Sequence, residues 1–355
     1  LLPRAASASP TSPGRSRGRG SQAVPTTGGR IEFRRLTIED GLSQSTVNCA
    51  VQDGRGFMWF GTQDGLNRYD GYEFRVYEHD PGDPHSLSNS WVTHCYGDRR
   101  GLLWFVTQDA VLHRYDVALD RFDLYPLEVE DPHRRGPENI RAILGDSAGR
   151  LWIGSYGGGL VMYDPDADAI VHYRDDLDDP AQDGQHDNKV YTILEDSGGT
   201  LWFGTAEGLV RHDPQARSFV RYPYQRSAGE GSQPNTLRSP VVTNIHEDRA
   251  GRFWIGTTYG GLHRLDRDTG QVTAYPFSAA DPGTFSGNSV RRLLEDSEGK
   301  LWVASVEVSP DGTYERLGLE RLDPASGEIV RFPHDPDDPC SPSHDAVLLM
   351  HEDRQ

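Results

Sequence analysis

Short apolar runs alternate with polar turn residues along the chain, and the runs come in pairs. Val190-Tyr191-Thr192-Ile193-Leu194 leads into Glu195-Asp196-Ser197-Gly198-Gly199-Thr200, and Leu201-Trp202-Phe203 comes directly after. Two short apolar runs joined by a turn containing Asp and Gly predict a β-hairpin. The Asp side chain can bond N–H groups of its own turn, and Gly takes the positive φ that closes it. The second run is continuously apolar, so both faces of its strand are expected to be buried. A third strand then runs from Gly-Leu to an Asp: Gly65 to Asp70, Gly159 to Asp164, Gly208 to Asp213, Gly261 to Asp266 and Gly318 to Asp323. The second unit has Ala110-Val111-Leu112 to Asp116 there. A fourth strand ends on Tyr77, Tyr125, Tyr173, Tyr222, Tyr275 or Phe332.

This pattern recurs with a fixed skeleton. The Trp falls at Trp59, Trp104, Trp152, Trp202, Trp254 and Trp302, at spacings of 45, 48, 50, 52 and 48 residues. An Asp stands six positions earlier each time (Asp53, Asp98, Asp146, Asp196, Asp248, Asp296), with a Gly three residues after it. Four meandering strands at this period make a propeller blade. The six units cover about 43–80, 88–128, 137–177, 187–224, 238–278 and 287–333. Residues 31–42 alternate like a fourth strand and are read as a closing strand. Residues 344–355 resemble a first strand, with Asp353 in the Asp position. The expected fold is therefore an all-β, seven-bladed β-propeller of four-stranded antiparallel blades, its seventh blade truncated. Since that seventh unit breaks off before its Trp, the chain is expected to be a piece of a longer protein.

Composition changes this picture only at the edges. A mean hydropathy of -0.65 is low, which thin sheet-to-sheet layers and long loops accommodate. The 36 basic against 54 acidic side chains give a net charge of -18, although residues 1–30 carry five Arg and no acid. So acidic a surface disfavours nucleic acid as a partner. Residues 1–30 read as a disordered tail or a signal-peptide remnant, with Ala6-Ser7-Ala8 in the small-x-small form of a cleavage site. Three cysteines are too few for a disulfide framework; Cys49 and Cys95 read as small core residues and Cys340 as a free thiol. No apolar run is long enough to span a membrane.

With these residues laid out, the unit resembles the two-component regulator propeller repeat: an inner strand ending in Glu-Asp, then x-x-Gly-x-Leu-Trp-Ile/Phe-Gly-Thr, then Gly-Leu-x-Arg-Tyr/Leu-Asp. The linker phrase at residues 80–89 is similar to that family's as well. The resemblance departs in the second unit, where Val106 replaces a small residue and the Gly before Leu112 is missing. It departs again in the sixth, which carries an insertion from Glu307 to Arg316. Members of the family are mostly bacterial sensor histidine kinases, many of them hybrids. By resemblance, this chain is an extracytoplasmic ligand-sensing propeller, the periplasmic domain of an inner-membrane protein. The implied ligand is a small molecule or oligosaccharide, and the implied assembly is a homodimer through the parent protein. No cofactor is expected in this stretch; ATP would belong to the kinase part. Whether the parent is an enzyme turns on that kinase, and none of its catalytic signatures lie in these residues. The alternatives are a stand-alone seven-bladed enzyme of the streptogramin-lyase type, with a His and carboxylate cluster at the channel mouth, or a protein-binding scaffold.

A residue present in every blade serves the blade, so the repeated Trp and Asp are read as structural. Function needs asymmetry. Trp91 is the one Trp outside the repeat position, Tyr156 and Tyr259 come after second strands, and Asp64, Asp109 and Glu207 lie in neighbouring turns. Aromatics there would stack on sugar rings and the carboxylates would bind hydroxyls, although each also reads as an ordinary loop residue packing on its own blade. All six belong to the face that carries the blade-to-blade linkers, where loops meet a rigid scaffold. The acidic loop Asp175 to Asn188 holds oxygen ligands without the spacing of a calcium loop and reads as solvated. No metal site and no catalytic residue is read from the chain, and His94 and His246 in first strands supply no evident cluster.

Overall fold

Each predicted hairpin pair forms a four-stranded antiparallel sheet in meander order, and six such sheets succeed one another along the chain. The computed structural model describes residues 2–5, 31–34, 36–127, 140–173, 189–213, 218–222, 236–278, 280–281, 283–309, 313–338, 341–342, 347 and 350–352. The first strands are Val47–Gln52, Val92–Gly97, Ile140–Gly145, Val190–Glu195, Val242–Glu247 and Ser289–Glu295. They pack side by side in succession, so the chain builds blades around a common centre. The second strands, such as Leu201–Thr205 and Phe253–Thr257, are buried along their whole length. Both of their faces meet neighbouring sheets, which is why their apolar runs do not alternate.

The expectation of seven blades is overturned. Among the described residues there are six blades. The strand read as ring-closing, Ile31–Arg34, pairs instead with Leu2–Ala5 in a separate two-stranded sheet. A 3₁₀ turn, Ile38–Asp40, capped by Thr37, comes after it, so residues 31–42 do not form one continuous strand. The remainder of residues 1–30, and most of 344–355, lie outside the described residues. Glu352 accepts the N–H of Ser297 at 2.8 Å, and the described residues 347 and 350–352 are not in a strand. Among the described residues this segment has no strand partner and adds no blade.

The cysteine reading is also corrected: Cys49 and Cys95 are disulfide-bonded, joining the first strands of blades 1 and 2. Cys340 lies outside the described residues. The insertion of the sixth unit extends a hairpin instead of adding a loop, with Leu301–Val308 pairing along Tyr314–Leu322. In the second unit Ala110 occupies the place of the missing Gly, in the left-handed region at φ 59°. Val106 is fully buried where the other blades have Gly or Ala.

The Trp and Asp form one device in all six blades. The Trp Nε1–H donates to Asp Oδ2 at 3.2, 3.0, 2.8, 2.8, 2.8 and 2.7 Å from blade 1 to blade 6. The other oxygen accepts two backbone N–H groups of the turn; for Asp196 these are Gly198 and Thr200, at 3.0 and 2.9 Å. A carboxylate so placed fixes the turn and lets the indole be buried with its donor satisfied. Burial pushes the carboxyls of Asp146, Asp196 and Asp248 up. The bonds from Trp and turn, with Arg150, Arg267 and Arg252 beside them, outweigh it and hold all three below the usual carboxylate range. The Glu preceding this Asp has a different task. Glu195, Glu247 and Glu295 accept N–H groups of Ser147, Ser197 and Arg249 from the preceding blade's turn.

Candidate functional site

The six first strands share an irregularity that the hydrophobic pattern does not reveal. In every blade the register between first and second strand slips near the start of the first strand, at its second residue in blades 1 to 5 and its third in blade 6. The pairing thus passes over Asn48, Thr93, Arg141, Tyr191, Thr243 and Arg291. Each is a β-bulge, a device that re-aims a side chain. The bulges lie at the end of the strand entered from the linkers, the face that also carries the turns between second and third strands. The backbone is repeated six times while the side chains are Asn, Thr, Arg, Tyr, Thr and Arg. Asymmetry on a symmetric frame is what a recognition site requires.

The ring divides by chemistry. In blades 1 and 5 its side chains are tied to the next blade: Asn48 donates to the Val92 carbonyl at 2.9 Å and Thr243 to that of Val290 at 2.7 Å. Thr93 donates to Val106 in its own blade at 3.0 Å. In blades 3, 4 and 6 the ring is cationic and aromatic. Arg141 stands over the ring of Tyr156 at 5.6 Å and Lys189 at 4.5 Å, while Tyr191 meets Tyr156 edge-on at 6.2 Å. Arg141, Arg291 and Arg292 are the only exposed residues on the six first strands. Arg292 keeps exposed surface, yet crowding by the protein around it removes enough hydration to lower its pKa, and the charges of Arg291 and Arg141 lower it further. His94 nearby is pushed down to about 4 by burial, with the same Arg292 and Arg141 adding to the effect. It is neutral at pH 7.

Of the residues singled out from the sequence, Tyr156 is the one within this cluster, 40% exposed. Tyr259 takes the corresponding turn of blade 5, is 48% exposed, and sits at φ 63° with its N–H donating to Ser289 Oγ. Asp64 and Asp109 are exposed turn residues, and Asp109 accepts from Ser88 Oγ at 3.1 Å. Glu207 is half-buried, its N–H held by Thr205 Oγ1 and its carbonyl accepting from Arg221. Trp91 is half-buried at the end of a linker, its N–H donating to Asn89 Oδ1 at 2.8 Å. The loop 175–188 lies outside the described residues. One signal could have exposed the bulge ring: the residue just after the Val or Ile near the start of each first strand changes in character within an otherwise constant unit.

On the opposite face a cleft of about 530 Å³ opens between blades 4 and 5. There Arg267 donates to Asp196 at 2.8 Å and pairs with Glu247, so its charged groups already satisfy one another. It is a clasp between blades. Among the described residues no three His, Cys, Asp or Glu side chains converge as a metal-binding group, and no helix is long and apolar enough to cross a membrane.

Comparison with known proteins agrees with this frame. Five segments, 41–64, 135–157, 184–207, 236–259 and 284–307, match the family described as two component regulator propeller. They fall on blades 1, 3, 4, 5 and 6; the irregular blade 2 lies between the first two segments. A 56-residue stretch, 16% of this chain, is 48% identical to histidine kinase P4 of Formosa agariphila, of which it covers 4%. The extracellular domain of a candidate hybrid two component system from B. thetaiotaomicron superposes with a TM-score of 0.68 at 24% identity. That match takes in 90% of this chain and 39% of the other. A virginiamycin B lyase from Staphylococcus aureus superposes with a TM-score of 0.55 at 14% identity, over 81% of this chain and 84% of the lyase. At these identities the structural likenesses establish the fold alone, and the chain spans well under half of the two-component relative.

Proposed function

Because this chain carries the two-component regulator propeller repeat, we propose that it is the extracytoplasmic, ligand-sensing part of a hybrid sensor histidine kinase. The observation that carries the reading is the bulge ring: six backbone-equivalent positions around one mouth of the ring, with different side chains. A scaffold serving only its own stability has no use for that variety. A ligand of oligosaccharide size would meet an aromatic platform at Tyr156 with Arg141, Lys189 and Tyr191 around it, whereas Asn48, Thr93 and Thr243 are engaged with backbone carbonyls of the propeller itself. The disulfide supports a location outside the cytoplasm, since such bonds persist in oxidising compartments. Binding would alter the packing of two copies of the parent protein and pass that change across the membrane.

The test uses membranes containing the product of the whole reading frame and ATP, with phosphorylation of the protein measured against a panel of oligosaccharides. At least one should change the rate, and Tyr156→Ala should weaken its half-maximal concentration by about tenfold, the ~1–2 kcal/mol of a stacked ring. A reading frame without a kinase, or phosphorylation indifferent to the panel, would sink the proposal. The lyase alternative finds no converging set of metal donors among the described residues.

A further inference from the structure

We infer that Glu320 is a proton-operated latch: the folded protein holds it as a neutral carboxylic acid, and loss of its proton releases the linker between blades 5 and 6. The inference does not depend on the ligand proposed above. Its ground is a position that recurs on the third strands. There Asn67, His113, His263 and Glu320 each accept a backbone N–H of the incoming linker, from Ser43, Ser88, Arg238 and Ser286 at 2.8, 3.0, 3.2 and 3.0 Å. In blade 1 the second polar group of this side chain is a donor facing its own sheet: Asn67 Nδ2 donates to the carbonyls of Phe60 and Gly65 at 3.3 and 3.4 Å. The ring of His113 faces the carbonyls of Phe105 and Val111, and that of His263 those of Ile255 and Gly261. The same register pairs Glu320 with Val303 and Gly318 with Ser305, so the corresponding carbonyls in blade 6 are those of Val303 and Gly318.

An amide and a neutral imidazole both carry a donor for that place, and an ionised carboxylate has none. Glu320 is fully buried; its Oε1 takes the N–H and hydroxyl of Ser286 and, at 3.1 Å, the hydroxyl of Ser305, while Oε2 has no partner. A proton on Oε2 supplies the missing donor. A metal ion does not fit instead, since even a Cβ on Gly318 would collide with Glu320 and Ser286. Burial pushes the carboxyl up, opposed by the bonds from Ser286 and Ser305 and by the charge of Arg331. The Arg331 guanidinium holds the same linker, through the carbonyls of Ser278, Asp281 and Thr284 at 2.7, 2.6 and 2.8 Å. Ionisation would set a buried anion against carbonyl oxygens and draw Arg331 from that grip. Since the folded form favours the proton, the latch is closed at low pH and opens as pH rises through the folded value. The linker ends at Asn288, whose amide clasps the N–H and carbonyl of Val308 at 2.9 and 2.8 Å. Its release therefore reaches the long hairpin of blade 6, on the face of the bulge ring.

Carboxyl-carbon NMR of the chain, isotope-labelled at glutamate, reads the proton directly. At about pH 6, above the ordinary glutamate value of about 4.3, one resonance should remain at the protonated position and be missing from Glu320→Gln. As pH rises through the titration of that resonance, amide hydrogen exchange at Thr284, Phe285 and Ser286, corrected for the intrinsic effect of pH, should accelerate tenfold or more. In Glu320→Gln, which keeps both an acceptor and a donor, exchange there should stay flat over the same range. A spectrum with every glutamate ionised at about pH 6 overturns the inference without recourse to any variant. A resonance that titrates while exchange in the linker is unchanged also overturns the latch, as does one that stays protonated up to the pH of unfolding.

Discussion

The carboxylate of Asp196 has four donors on it, two from its own turn, one from Trp202 and one from Arg267. Asp196→Asn keeps an oxygen for the turn but presents an amide N–H₂ to the indole N–H, leaving a buried donor unpaired. The expected loss is about 1–3 kcal/mol in urea unfolding, and Asp196→Ala should exceed it. Glu320 offers the reverse case. It is buried in blade 6, accepting from the Ser286 N–H at 3.0 Å and from Ser305 at 3.1 Å. Burial pushes its carboxyl up, against the opposing effect of those bonds. The folded state therefore favours the protonated form, and that contribution is full below the unfolded value of about 4.3 and lost as pH rises through the folded one. Glu320→Gln should raise the melting temperature at pH 8 and lose its advantage near pH 4; a variant less stable than its parent at pH 8 refutes this. The blade devices were partly legible in the sequence. Asp and Gly at fixed offsets announced a turn, whereas the Trp–Asp bond needed the three-dimensional proximity of residues six apart, one in the turn and one on the strand beyond it.

At the scale of the strand and hairpin, legibility depended on whether a feature alters side-chain pattern or only backbone. Hairpins alter pattern, and all six were visible. A bulge leaves the alternation nearly intact, so the slip at Arg141 or Arg291 could not be heard in hydrophobicity alone. Ala110 lies between these cases: the missing Gly was evident, but its consequence is a left-handed alanine. Ala110→Gly should stabilise the protein by about 1 kcal/mol, because glycine takes that conformation without the Cβ clash. Chemical denaturation would show it as a higher midpoint at unchanged slope. The closing strand failed for another reason. Ile31–Arg34 has a strand's pattern and is a strand, but pattern does not name the partner.

For the ring as a whole, cohesion comes from links between blades. The covalent one, Cys49–Cys95, closes a segment of 46 residues. By chain entropy such a loop is worth about 4 kcal/mol. Cys95→Ser, or unfolding in reductant, should lower stability by roughly 2–4 kcal/mol, with the loss absent from a variant already lacking Cys49. Acid acts on the ring in two windows. His113 and His263 are pushed down to about 4, mainly by burial, and each accepts a linker N–H, from Ser88 at 3.0 Å and Arg238 at 3.2 Å. Their depressed values mean that stability is full above the unfolded value of about 6.5 and falls as pH drops toward about 4. The depressed carboxyls of Asp146, Asp196 and Asp248 add a second loss below about 3.9. His113→Asn, copying Asn67, whose side chain accepts the Ser43 N–H at 2.8 Å in blade 1, should shrink the upper window by the share of His113 and leave the lower one unchanged in melts between pH 7 and 3, His263 and His94 keeping the rest.

The bulged position sits outside the ladder of its own sheet in every blade. Replacing the residue there removes no interstrand backbone bond and leaves the Trp layer untouched. Selection can therefore rewrite one blade's contribution at a time, by single codon changes, without renegotiating the core. Relatives built on this repeat should diverge at these six positions faster than at the strands around them, and taste in ligands should drift while the frame stands still.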